Sequence, residues 1–593
     1  MANKFTPRIF LLLLLTLIQI HHACSKQRKT YIVYMGDRPK GIDPTTLPSL
    51  HSTMAQNVLG SDFEPGAVLH SYKKSFNGFV LKLTEDEAET LAGGLCLSYG
   101  YRILIMFLPL NIWKTVKIIG AQYFNIKRFY SKKDIEGPTD VNGHGTHCAS
   151  TAAGNMVHSV SLQGYASGTA RGGVPSARIA VYKVCWKEIG CNDADILSAF
   201  DSAIHDGVDV LSVSLGSKKV VITPYFKNVF DIGSFHAMKR GIFTVNAANN
   251  LGPNPSTMTS YPPWILSVAA STFGRKFATK VQLGNGAIYE GSSINTFDLK
   301  NKMFPIISAR DIPNTANGFN SSMSRFCHKD SLDKHVVKGK IVLCESLQGV
   351  SEVGVSSGAA GVIFDNVVPR NKDSTPTFAL PTTILTKGNL NDIQYYISST
   401  RNPTATIFKS EEVEDSLSPY IASFSSRGPN PITPNILKIN PVKAVHPGLV
   451  YDISEADYAD FLCGEGYTAK ELQILTQDKS SCKVKTNEKA VYNLNLPSFA
   501  LKINATFLGH VYQRTVTNVG SATSTYKARV ISPSLLEIQV KPDVLSFTSI
   551  GQKKSFSLTI EGEINVEVMS ASLIWDDGSH QVRSPIVVYG KYA

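Results

Sequence analysis

Residues 29–92 alternate apolar and polar positions in KTYIVYMG and again through LHSYKKSFNGFVLKL, then pass into the acidic start of a short helix, TEDEAETLAG. This predicts a small α+β unit. From about 140 to 290 the rhythm changes to β-branched strands, SARIAVYKVC, VDVLSVSLG and IFTVNAANNLGP, separated by two helical stretches. In the first, DADILSAFDSAIHDG, the residues Ile196, Leu197, Phe200 and Ile204 fall on one face; the second is FDIGSFHAMKRG. Helices alternating with strands of this kind predict an α/β architecture, a parallel sheet covered on both faces.

The rhythm breaks near 296–410, where GKIVLCES and GAAGVIFDN stand among polar loops rich in Pro and Asn, as expected of an inserted small domain. A connector spans about 411–490. From 491 to 593 short alternating stretches, YQRTVTNVG, TYKARVIS, LEIQVKPDVLSF and KSFSLTIEG, are separated by turn residues, which predicts an antiparallel β-sandwich. At the other end, Lys4 and Arg8 flank the run IFLLLLLTLIQI, and Ala23 and Cys24 follow it. That arrangement predicts a secretory signal over 1–24 and an extracellular or cell-wall destination. A second apolar patch, ILIMFLPLNIW at 103–113, is too short for a membrane span and is broken by Pro109.

With 593 residues, 43% of them hydrophobic and 18% charged, the chain has globular composition and length for several domains. A formal charge of +12 without long Lys/Arg runs argues against a nucleic-acid surface. Nine cysteines suit an oxidising compartment, and their grouping suggests local bridges joining Cys185 to Cys191, Cys327 to Cys344 and Cys463 to Cys482. No cluster has zinc spacing, and neither a metal nor a cofactor is expected. Sequons at Asn320 and Asn504 are candidate glycosylation sites.

The candidate chemistry lies in DVNGHGTHCASTAAG, residues 140–154, where His144 stands between two glycines at the predicted start of a helix. Gly143 and Gly145 allow backbone and substrate to approach the ring, and a histidine so placed can shuttle a proton. NGHGTHCAST resembles the histidine motif of subtilisin-like serine proteases, and GTARGGVPSARIAVYKVCW is similar to the plant, cucumisin-like branch of that family. SFSSRGPNPITPNILK and NPVKAVHPGLVYD resemble further segments of the same branch.

The resemblance implies an inhibitory prodomain at 29–92, the first part of a catalytic domain at 110–295, a protease-associated insert at 296–410, a catalytic remnant and connector at 411–490, and a fibronectin-III-like domain at 491–593. It implies peptide hydrolysis by a serine nucleophile, with histidine as base and aspartate orienting it, on peptide or protein substrates. The prodomain could also engage other subtilases. His144 matches the base, Ser214, Leu215 and Gly216 the segment that pairs with substrate backbone, and Asn250 the oxyanion amide donor. Where the family carries glycine, this chain carries Asn249, a residue that tolerates left-handed backbone.

Two motifs have no counterpart. The family's aspartate ends an apolar strand in a D-T-G pattern before the histidine, yet no aspartate occurs from Gly94 to Lys133. Asp134 and Asp140 sit too close to His144 in sequence to take its place. The nucleophile belongs in a G-T-S-M segment after SFSSRGPNPITPNILK, but NILK runs straight into INPVKAVHPG. Ser425, Ser426 and the SGTA at 167–170 belong to other family segments. Losing the aspartate strand and the serine helix should open the sheet edge and expose apolar faces. Three readings stay open: an active endopeptidase, a non-catalytic binding or inhibitory protein, and a product of faulty exon assembly across the joins at 93–116 and 436–441.

Overall fold

The computed structural model describes residues 28–590 except 40, 65, 85–86, 89–95, 98–116, 260–261, 346–356, 366–374, 430–444, 477, 479, 483–487, 504–506 and 564–567. The expected signal segment, the apolar patch at 103–113, the join at 436–441 and the sequon residue Asn504 all lie outside the described residues.

Strands β1 (Lys29–Asp37), β2 (Val68–Tyr72) and β3 (Phe76–Leu83) form an antiparallel sheet in the order β2-β3-β1, extended by Cys96–Leu97, with helix α1 (Leu47–Leu59) packed on it. The strands are those that the N-terminal alternation predicts, but the described helix is Leu47–Leu59, whereas most of the acidic segment expected to be helical, TEDEAETLAG, lies outside the described residues. One face of the sheet closes its own core with Val33, Phe79, Leu81 and Ala55. The other sends Ile32, Tyr34, Tyr72, Phe76 and Val80 into the core of the central region.

The central parallel sheet is split. Strand β4 (Ile118–Tyr123) pairs in parallel with β5 (Ile179–Lys183), and α2 (His144–Ala153) packs on this pair through Ala149 against Val181. Strands β6 (Val210–Val213), β7 (Phe243–Ala247) and β8 (Leu266–Val268) form a second, three-stranded parallel sheet. Helices α3 (Asp193–Asp206) and α4 (Val229–Lys239) lie with Val213 and Leu215 in one large core; Ile196, Leu197, Phe200 and Ile204 are buried there, as the helical periodicity requires. Gly207, at φ 72°, stops α3 in a left-handed turn that a side chain would strain.

Helices pack on the parallel strands as the sequence predicts, but among the described residues one sheet face keeps apolar side chains exposed. Val210, Phe243 and Val268 share one face of the three-stranded sheet, and each stays about half exposed. Ile119 on β4 is exposed as well. The apolar surface anticipated from the two missing motifs is therefore present on the fold.

Eight strands between Arg275 and Glu414 form the inserted unit, starting before the 296 boundary suggested by the sequence rhythm. Pairing of Arg275–Leu283 with Ile288–Ser292 links one end strand of this mixed sheet to the strand next to its other end. Helix α5 (Lys387–Ser399) packs on it through Leu390, Ile393 and Tyr396. Helices α6 (Glu455–Gly464) and α7 (Ala469–Thr476) of the connector return to the central core with Phe461, Leu462 and Leu472. The C-terminal region is a two-sheet sandwich of four and five strands around Trp575, Phe556, Tyr512 and Phe547. One pairing departs from the antiparallel expectation: Phe499–Ile503 runs parallel to Gln581–Gly590. All three expected disulfides are formed, Cys185–Cys191, Cys327–Cys344 and Cys463–Cys482.

Candidate active site

Helix α2 begins at His144 because the loop before it is organised by one carboxylate. Asp140 Oδ1 accepts from the N–H groups of Asn142 (2.9 Å) and Gly143 (2.7 Å), and Oδ2 accepts from both the N–H and the Oγ1 of Thr146 at 2.8 Å. Gly143, at φ 90°, makes the left-handed entry. Partial burial works to raise the Asp140 pKa, but these hydrogen bonds prevail and hold the carboxyl below its ordinary range. Both oxygens are thus committed to the helix start.

His144 itself is exposed. Partial burial and the neighbouring His147 lower its pKa, against the pull of Asp140, which favours the neutral imidazole. Among the described residues its side-chain partner is a thiol: Cys148 Sγ lies 3.8 Å from His144 Nε2, one helical turn on. Cys148 is free, since its described companions at 185, 191, 327, 344, 463 and 482 are bridged. The sequence offered a sign of this pair in the i,i+4 spacing of His144 and Cys148 on a helix.

The two candidate substrate-facing segments are tied to each other. Leu215 is buried, and its N–H donates to Oδ1 of the buried Asn246 at 3.3 Å. Asn249 adopts φ 86°, the left-handed conformation anticipated for it. Its Nδ2 donates to Ser217 O at 2.6 Å and to Thr259 Oγ1 at 3.0 Å, while its Oδ1 accepts from the Asn250 N–H at 2.7 Å. A Cβ on Gly216 would meet that amide at 2.5 Å, so a side chain there would displace the Asn249 amide from its hydrogen bonds. Ser214 and Gly216 are partly buried, and Asn250 is exposed. No hydrogen bond among the described residues joins His144 to Asn250 or to Ser214–Gly216.

Ser425 and Ser426 are buried and serve the backbone. Ser425 Oγ accepts from Ala270 N–H at 3.0 Å and Ser426 Oγ from Leu251 N–H at 3.1 Å, locking this loop under the Asn249–Gly252 turn. No group of three His, Cys, Asp or Glu side chains among the described residues could hold a metal ion. Nor is any described helix long and apolar enough to cross a membrane. Asn320 is exposed, with its Oδ1 capping a short helix through Met323 N–H at 3.2 Å.

The profile of the subtilase family matches residues 56–443. The chain belongs to that family. A fibronectin type-III domain matches 493–588, coinciding with the sandwich. Among relatives, the subtilisin-like protease SBT4.6 of Arabidopsis thaliana is 34% identical over 721 aligned positions, covering 95% of this chain and 96% of that protein. SBT4.12 of the same plant is 34% identical over 734 positions, covering 98% and 97%. Each alignment is longer than the whole 593-residue chain, so each plant subtilase carries segments with no counterpart here. Among solved structures, the epidermin leader peptide processing serine protease of Staphylococcus aureus matches 38% of this chain and 61% of its own, at 16% identity and TM-score 0.24.

Proposed function

We propose that this subtilase is non-catalytic: a secreted member that keeps the family's substrate-facing segment and prodomain-like unit without hydrolysing peptide bonds. The carrying observation is the surroundings of His144, whose described side-chain partner is Cys148 and not a serine or a free carboxylate. Asp140 is engaged by four donors, and Ser425 and Ser426 are buried in backbone contacts. Without serine no acyl-enzyme forms, and without aspartate nothing fixes the tautomer of the base. Loss of single triad members costs about 10⁴ to 10⁶ in kcat, which leaves turnover near the background of binding alone.

A fluorophosphonate probe tests this on the purified full chain beside an active relative. No labelling is expected here; labelling that His144→Ala abolishes would overturn the reading and restore an endopeptidase.

The remaining partner in this reading is another protease. Residues 29–92 dock on α3 and α4, with Asp201 accepting from the N–H groups of Ser75 and Phe76, the latter at 2.8 Å. Added in trans, such a unit would inhibit an active subtilase. Faulty exon assembly is favoured by a different observation, an SBT4.6 alignment of 721 positions that is longer than this whole chain of 593 residues. Sequencing the transcript across 93–116 and 436–441 separates the two: a restored D-T-G strand and G-T-S-M helix would assign protease activity to the longer product.

A further inference from the structure

The inserted unit holds an open cleft of about 500 Å³, within the size range of small-molecule sites. Helix α5 buries Leu390, Ile393 and Tyr396 against the sheet and turns Asp392 and Tyr395 outward into this cleft. Tyr395 is 74% exposed, a large aromatic surface with no packing role. Tyr289 enters the lining from strand Ile288–Ser292, and Asn285 and Asn402 supply amides from the loops at its edge. The floor is rigid: Tyr396 OH donates to Thr404 O at 3.3 Å and accepts from Thr404 N–H at 3.2 Å.

Charge and spacing narrow the ligand. Among the described residues the lining contains no Lys, Arg or His, and its ionisable acid, Asp392, disfavours uronates, phosphates and other anions. Tyr395 stays 74% exposed, so the rings do not close into the compact box that holds an ammonium group. Tyrosine faces at an open cleft, with amides and a carboxylate in the same lining, suit a chain of flat rings with hydroxyl edges. We propose that this cleft binds a neutral oligosaccharide, Tyr395 and Tyr289 taking pyranose faces while Asp392, Asn285 and Asn402 bond hydroxyl groups.

Calorimetric titration of the full chain with cellohexaose, xylohexaose and mannohexaose tests the proposal, with trigalacturonate and tetramethylammonium as the charged alternatives. At least one neutral hexasaccharide binds, and Tyr395→Ala and Asp392→Asn each weaken it about tenfold with an unchanged circular dichroism spectrum. Both side chains are exposed, so neither substitution threatens folding. The proposal is overturned if no neutral hexasaccharide binds, if both variants bind as the parent does, or if either charged probe binds more tightly.

Discussion

In the C-terminal sandwich, Trp575, Phe556, Tyr512 and Phe547 are all buried between two sheets, whereas Val210, Phe243 and Val268 of the parallel core share a face and stay about half exposed. Both regions are built from apolar strands. They differ in how far along the chain their partners lie. Nearly every strand of the sandwich comes from the last hundred or so residues, so its two faces are matched with few partners from elsewhere in the chain. A parallel sheet takes each neighbour through a crossover, and its faces are covered by the helices of those crossovers.

The largest effect expected is in the sandwich. Trp575→Ala removes a fully buried ring packed 5.1 Å from Phe556, and should cost about 3–5 kcal/mol, read as a lowered calorimetric transition of that domain. Asp201→Ala strands the buried N–H groups of Ser75 and Phe76 and should cost about 1–3 kcal/mol, read as faster proteolysis of residues 29–92. Survival of both substitutions unchanged would break the contrast between matched and unmatched faces.

Acidification sharpens it at the same interface. Burial, then Lys73 and Lys74, lower the His70 pKa from 6.5 to about 4 where its Nε2 meets Ser198 Oγ at 3.2 Å. A histidine depressed in the folded state stabilises fully above 6.5, and the unfolded chain binds more protons between 6.5 and about 4. Stability is therefore lost as pH falls through that window. Asp193 and Asp195, raised by burial from 3.8 to about 6, act in the opposite sense, since their protonation favours the fold as pH falls. Comparing the parent with His70→Gln cancels the carboxylates: the variant should lose less stability on acidification, followed by urea unfolding at each pH.

Smallest in stability is Phe243→Ser. On the uncovered face it should change stability by less than about 0.5 kcal/mol while reducing self-association in sedimentation, because it removes exposed apolar surface.

Much of this was legible in residue order. The Ile196, Leu197, Phe200 and Ile204 stripe predicts the buried face of α3, cysteine grouping predicts three bridges, and the short alternating strands predict the sandwich. Hidden from that reading were polar residues turned to a distant partner. Asp195, Ser198 and Asp201 lie on α3 and look like a solvated edge by periodicity, yet all three are buried, and Asp201 and Ser198 meet the N-terminal unit. Periodicity reports which side of a helix is apolar, not what later covers the rest.

At His144 the division is similar. The sequence by itself determined the family, the histidine motif around His144, and that no D-T-G or G-T-S-M segment occurs in the chain, because such motifs are contiguous and can be read without a fold. Only the tertiary structure decided what surrounds the base: Asp140 drawn into four hydrogen bonds, Ser425 and Ser426 held inside a loop, and Cys148 brought to 3.8 Å. Which carboxylate, hydroxyl or thiol is free to act depends on the donors that folding places around it, and those come from residues far apart in the chain.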